Sequence, residues 1–223
     1  MHYNHEILII DEGYEMTTIE QLNAANCDGM AAPEFCSGLA IISKHPIKNV
    51  QFLSFTDHGD FFWDYEYFLR RGAGLVTLEP RPGHTVDVMV TSLASIDYNH
   101  WYREHQTADL IKFISHSSAD HLILAGDFNV DPRDNEETYK TVQNVLKDAM
   151  GDEKYLDPKF ATLGNSENTY TEKGDHPFVY DYIFYKDHGV TVNSFDVLNL
   201  RTEKEEISLS DHQALSAKFT LTK

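Results

Sequence analysis

Leu122-Ile123-Leu124-Ala125-Gly126-Asp127-Phe128-Asn129 is the most informative stretch of this 223-residue chain. Its apolar run reads as a buried strand, and Gly126 permits a sharp turn at the strand's end. The turn delivers Asp127 and Asn129 on one side of the chain. A carboxylate beside a carboxamide suits orienting an attacking water and a phosphoryl oxygen together. Taken alone, an Asp-x-Asn leaving a strand reads as an Asx turn, so its chemical meaning depends on the segments around it.

Short β-type runs recur on both sides, over 6–11, 38–43, 50–55, 74–78, 86–93, 121–125, 179–185, 190–197 and 213–221. Helical stretches are few. Thr17-Thr18-Ile19-Glu20 has the form of a capping box and predicts a helix to about residue 25. Residues 102–115 place Ala108, Ile111, Phe113 and Ile114 near one helical face. Asp134 with Glu137 predicts a third helix running to about residue 150. Many strands with few helices imply sheets packed face to face with helices outside, an α/β sandwich. No repeat, low-complexity tract or linker interrupts the chain, which predicts one domain over 1–223.

Three further segments bear chemically useful groups. In Leu209-Ser210-Asp211-His212-Gln213-Ala214-Leu215 an Asp-His pair precedes the last apolar strand. A His with a carboxylate partner makes a poised general base, its tautomer fixed by that partner. In a chain with 12 histidines an isolated Asp-His is also a common coincidence. Tyr180-Asp181-Tyr182-Ile183-Phe184-Tyr185 sets a carboxylate inside an apolar strand. Burying it unpaired costs several kcal/mol, so a cationic or His partner is expected. Ile9-Ile10-Asp11-Glu12-Gly13 ends a strand with two acids, which reads either as an exposed strand end or as oxygen ligands for a hard cation.

Composition narrows the classes. The formal net charge of −18 disfavours binding to nucleic acid and purely electrostatic adsorption to anionic lipid, both of which rely on Lys and Arg. Nothing approaches the run of about 20 apolar residues that a membrane helix needs, and no signal peptide is visible. The chain therefore reads as cytoplasmic, or as secreted with its signal removed. Cys27 and Cys36 read equally as a small disulfide loop or as two free thiols.

Taken together, the segments resemble the endonuclease/exonuclease/phosphatase superfamily. They stand in its order: the strand ending in Glu12, Ser37-Gly38-Leu39-Ala40-Ile41-Ile42-Ser43-Lys44-His45-Pro46-Ile47, Gly126-Asp127-Phe128-Asn129, Tyr180-Asp181-Tyr182-Ile183 and Ser210-Asp211-His212. Within it, the Ser-Gly-Leu and Ser-Lys-His-Pro-Ile elements, with His58-Gly59-Asp60-Phe61-Phe62 and Arg71-Gly72-Ala73-Gly74-Leu75-Val76, are similar to neutral sphingomyelinases. The resemblance implies a four-layered α/β sandwich of two packed, mainly antiparallel sheets flanked by helices. It implies a Mg²⁺ ion held by Glu12, with Asp127 and Asn129 positioning the nucleophilic water and phosphate oxygens. His212 then matches the general base, Asp181 the carboxylate that orients it, and Asp211 the acid beside it. Arg71 falls where these enzymes have a lysine near the substrate phosphate, which keeps the charge but changes the geometry. The implied reaction is metal-assisted hydrolysis of a phospholipid phosphodiester such as sphingomyelin, giving ceramide and phosphocholine.

Two departures from that pattern weaken the expected activity, and a non-catalytic relative that binds a ligand or partner is the alternative. In Val90-Thr91-Ser92-Leu93-Ala94-Ser95, Ser92 stands where the family has a histidine beside the leaving group. His100 or His105 would have to substitute. The chain also starts almost at the Glu12 strand, without the family's first strand and helix. Either the sequence is a piece of a longer chain or an inner strand is lost, and a lost inner strand leaves sheet edges for a partner chain or a second copy to cover. The aromatic run Phe61-Phe62-Trp63-Asp64-Tyr65-Glu66-Tyr67-Phe68-Leu69 reads either as a peripheral membrane contact or as a partly buried hairpin.

Overall fold

Each of the β-type runs forms a strand. The computed structural model describes residues 6–10, 17–18, 39–57, 66, 71–95, 101–134, 137–151 and 154–222. Cys27, Cys36 and the aromatic run other than Glu66 lie outside them. Chain contacts divide the protein into two compact units, 1–129 and 130–223.

In the first unit, β1 (Glu6–Ile10), β2 (Thr17–Thr18) and β3 (Leu39–Ser43) form a small sheet with β3 in the middle. A second sheet runs from β4 (Ile47–Ser54) through β5 (Gly72–Arg81) and β6 (His84–Ser92) to β7 (His121–Asp127). Its first two pairings are antiparallel and β6–β7 is parallel. β3 lies against β5 and β6, and β1 against β6 and β7, so the sheets pack face to face. This explains the unbroken apolar character of the central strands: Leu75, Val76, Val88, Met89, Val90, Leu122 and Leu124 are all buried, as strands covered on both faces require. Helix α1 (Trp101–Ile114) forms where it is predicted but turns a different face inward: Arg103, Gln106, Thr107, Leu110 and Ile114 are buried, whereas Ala108 of the expected face is exposed and Ile111 and Phe113 are half-buried. The helix expected to start at Thr17 does not. Thr17 and Thr18 are extended and pair with Ser43 and Ile42, so the edge of β3 takes the residues that were to cap it. The remainder of that expected helix lies outside the described residues.

In the second unit, α2 (Glu137–Gln143) is shorter than its capping pattern predicts. The chain leaves the helix to form β8 (Lys147–Asp148), which pairs antiparallel with β9 (Asp181–Tyr185). The buried Asp148 carboxylate sets that turn, accepting from the Tyr139 hydroxyl at 3.0 Å and the Met150 N–H at 2.8 Å. Its two polar partners make strand more favourable here than continued helix. β10 (Val190–Leu198) and β11 (Ala214–Leu221) form an antiparallel ribbon, and β11 packs against β9. An aromatic cluster of Tyr139, Tyr182 and Phe184 fills the space between α2 and β9.

Candidate functional site

The site residues expected from the sequence fall into one constellation in each unit. In the first, β7 ends at Asp127, which is almost fully buried. Gly126 is needed immediately before it. Its φ is +155°, and a Cβ there would lie 2.0 Å from the Thr91 carbonyl oxygen on β6. Beyond the strand the chain turns at Asn129, which adopts a φ of +51°. The Asn129 N–H donates to Asp127 Oδ1 at 2.8 Å, closing an Asx turn, and Nδ2 donates to Oδ2 at 2.8 Å. Both carboxylate oxygens thus accept from one residue. The same Nδ2 also donates to the Leu93 carbonyl at 3.0 Å. The Asx turn read from the sequence is formed, and it sets the Asn129 carboxamide against the Asp127 carboxylate.

Leu93 is itself held firmly. Its N–H donates to the Asp127 carbonyl at 2.9 Å. Next to it, the Ala94 N–H donates to Gln106 Oε1 at 2.8 Å, and the Ala94 carbonyl accepts from Arg103 at 3.0 Å. Helix α1 therefore fixes the segment on which the Asn129 carboxamide rests. Gln106 and Arg103 carried no signal in the sequence, where they are two polar residues on a helix.

Arg71 sits in a buried cluster. Its guanidinium grips Glu66 in a fork, Nε to Oε2 at 2.7 Å and Nη2 to Oε1 at 3.2 Å. Nη1 donates to the Ser92 hydroxyl at 2.6 Å and Nη2 to the Ser95 hydroxyl at 3.0 Å. Glu66 also accepts from the N–H and hydroxyl of Ser95. This buried pair is fully hydrogen-bonded in the way that charged groups away from water must be. Ser92, where a histidine was expected, pairs in register with Asp127 and is joined to Arg71. Of the two candidate substitutes, His105 lies beside the Asp57 carboxylate and against the Trp101 ring, and His100 is outside the described residues. So is Glu12, the expected metal ligand. Among the described residues, no group of three or more His, Cys, Asp or Glu side chains is arranged to hold a metal ion.

The second unit brings Asp181 and His212 together, as the buried-acid argument required. His212 Nδ1 lies 2.8 Å from Asp181 Oδ2, with both side chains less than a fifth exposed. Because a carboxylate only accepts, the proton of that bond belongs to Nδ1. Asp211 does not join the pair. Its carboxylate accepts from the Ser210 hydroxyl at 3.3 Å, while the His212 N–H donates to that hydroxyl at 3.1 Å. Asn168 holds the turn from below, its Nδ2 donating to the Ser210 and Asp211 carbonyls at 2.9 and 3.1 Å.

Asp131 is a supporting residue that the sequence did not reveal. Its carboxylate accepts from Arg133 Nε at 2.7 Å, from the Arg133 N–H at 2.9 Å and from the Val179 N–H at 3.0 Å. Burial pushes the carboxyl up, but the Arg133 guanidinium and the two N–H groups outweigh it and hold it below the usual carboxylate range. Tyr182 anchors the same region, its hydroxyl lying 2.7 Å from the Val130 and Val179 carbonyls. Burial first, and then nearby acids including Asp148, raise that phenol well above its ordinary value, so it stays protonated.

A model of the endonuclease/exonuclease/phosphatase family matches residues 21–212. Human sphingomyelin phosphodiesterase 2 is 30% identical over 202 residues, covering 81% of this chain and 47% of that protein. The chain thus spans at most about half the length of the curated relatives it matches. Among solved structures, D. rerio TDP2 complexed with a single-strand DNA product superposes with a TM-score of 0.61 at 16% identity, over 78% of this chain and 68% of that one. The human Nocturnin catalytic domain with bound sulfate gives 0.57 at 24% identity, over 79% and 60%. At these identities the likeness speaks for the fold alone. That fold includes a protein solved with DNA, so the acidic excess by itself does not set nucleic acid aside.

Proposed function

This chain belongs to the endonuclease/exonuclease/phosphatase family, and we propose that it hydrolyses a phospholipid phosphodiester in the manner of a neutral sphingomyelinase. Sphingomyelin is the expected substrate, and ceramide and phosphocholine the products. The observation that carries this reading is the His212–Asp181 hydrogen bond. With the proton on Nδ1, Nε2 is the basic nitrogen, and it takes a proton from water as the oxygen attacks phosphorus. The bond from phosphorus to the ceramide oxygen breaks, that oxygen takes a proton from solvent water, and His212 returns its own proton to solvent. Asp127 and Asn129 orient water and phosphoryl oxygens, and their mutual hydrogen bonds hold both groups ready for this role.

Enzymes of this family are generally divalent-metal dependent. Oxygen donors such as Glu12 suit Mg²⁺, and Glu12 is the residue proposed to hold it. When bound, the ion supplies neutralisation of charge developing on the phosphoryl group.

A lipid substrate has its own support. At the end of β10 and between it and β11, Leu198, Leu200, Ile207 and Leu209 are all exposed. The backbone pairs Leu209 with Leu200 and Ile207 with Thr202, so the segment is a hairpin leading into His212. Exposed apolar side chains this close together mark a contact surface. Arg201 and Lys204 stand against Glu203, Glu205 and Glu206, a balance suited to a zwitterionic rather than an anionic surface.

A non-catalytic binding role is the second reading. It is favoured by the commitment of Arg71 to Glu66, Ser92 and Ser95, which engages the cation expected at the substrate phosphate. Hydrolysis measured in parallel on sphingomyelin vesicles, a soluble aryl phosphodiester and single-stranded DNA separates the readings. Turnover of the vesicles supports the proposal. Turnover of DNA alone replaces it with a nuclease, and no turnover leaves the binding role.

A further inference from the structure

Thr162 is a fully buried residue in an irregular stretch, and none of the chemistry above uses it. It follows the short 3-10 turn Pro158–Phe160. Its main chain is tied on both sides: the N–H donates to the Phe178 carbonyl at 2.8 Å, and the carbonyl accepts from the Gln213 N–H at 2.7 Å. Its hydroxyl Oγ1 accepts from the Tyr180 N–H at 2.9 Å and from the Asp181 N–H at 3.2 Å. One residue therefore holds the backbone of Asp181 and the backbone of the residue following His212.

The consequence is geometric. Asp181 begins β9, and His212 lies in the turn just before β11. Their side chains meet at 2.8 Å, a distance at which a few tenths of an ångström decide whether a hydrogen bond is well made. The tautomer of the imidazole depends on that bond. The two chain segments share Thr162 as a common support, and burial leaves no solvent to take over its hydroxyl.

We propose that Thr162 is a positioning residue whose hydroxyl holds Asp181 in register with His212 and so keeps the His212 proton on Nδ1. The proposal rests on the hydrolytic role of His212 but is measurable without it. Thr162→Val preserves shape and removes the hydroxyl, whereas Thr162→Ser preserves the hydroxyl. Val142→Ala, a buried change in α2 outside the hydrogen bonds that join Thr162, Asp181 and His212, supplies a destabilised control.

The experiment records long-range proton–nitrogen correlations of the histidine rings in the full chain, with kcat and KM on sphingomyelin micelles. The expected result is the Nδ1-protonated tautomer in wild type, Thr162→Ser and Val142→Ala, and a mixture of tautomers in Thr162→Val. In the same series kcat per folded molecule falls about 10-fold in Thr162→Val alone, with KM within about twofold, as loss of orientation without loss of binding requires. A Thr162→Val spectrum matching wild type overturns the proposal, and so does a change shared equally by Val142→Ala. If no form hydrolyses sphingomyelin, the enzymatic reading fails while the tautomer pattern still decides for or against Thr162.

Discussion

At the scale of single residues, the carboxylates in and around the candidate site have oxygens that are already engaged. Asp127 accepts twice from Asn129, Asp181 accepts from His212, and Asp131 accepts from Arg133 and Val179. Asp131 offers a clean test because its carboxyl is held below the usual range. The native state favours the charged form, so this stabilisation is complete above the unfolded value of about 4 and disappears as pH falls through the lower native one. Asp131→Asn is expected to cost about 1.5–3 kcal/mol at pH 7. In denaturant titrations the gap to wild type narrows towards pH 3, and a gap of constant size across that range would count against this assignment. That Asp181 has a partner was legible because an acid inside an apolar strand needs one, while His212 as that partner came only from the resemblance. Asp131, Thr162 and Gln106 were not legible, since each acts through backbone groups that only the fold brings near.

At the scale of elements, the strands were legible from apolar runs bounded by polar residues, and the helices only where no strand competed for them. Helix α1 forms in place, but its buried face is set by Arg103 and Gln106, which hold the Ala94 backbone, rather than by its apolar periodicity. Lys147–Asp148 and Thr17–Thr18 were taken by sheet pairing, with turns on either side of the former, which local capping patterns do not register. The end of β6 shows the same limit for function. A serine in place of histidine reads as a lost catalytic group, and restoring the histidine looks like the remedy. Ser92 is instead buried, with its hydroxyl 2.6 Å from the Arg71 guanidinium. An imidazole there displaces that guanidinium from its fork with Glu66. Ser92→His is therefore expected to lower stability by about 1–3 kcal/mol and to restore no activity. Thermal melts and a hydrolysis assay check this, and a stable variant with raised turnover would contradict it.

At the scale of the whole molecule, a net charge of −18 turned out to say less than a small apolar surface. The acidic excess leaves substrate class open, and the proposal of a lipid substrate leans on the exposed leucines and isoleucine before His212. Leu200→Ser with Leu209→Ser is expected to reduce hydrolysis of sphingomyelin in vesicles about 10-fold or more while leaving a soluble phosphodiester within about twofold, since burying each leucine in a membrane contributes about 1.5–3 kcal/mol. Equal losses on both substrates would place the effect in the fold rather than in lipid contact. The central claim is that His212, oriented by Asp181, is the base of a phosphodiester hydrolysis. The measurement that addresses it most directly is phosphocholine release from sphingomyelin vesicles in the presence of Mg²⁺, compared between wild type and His212→Asn. The account predicts release by wild type and a loss of about 10²–10⁴-fold in the variant. Equal release by both, or none by wild type, would contradict it.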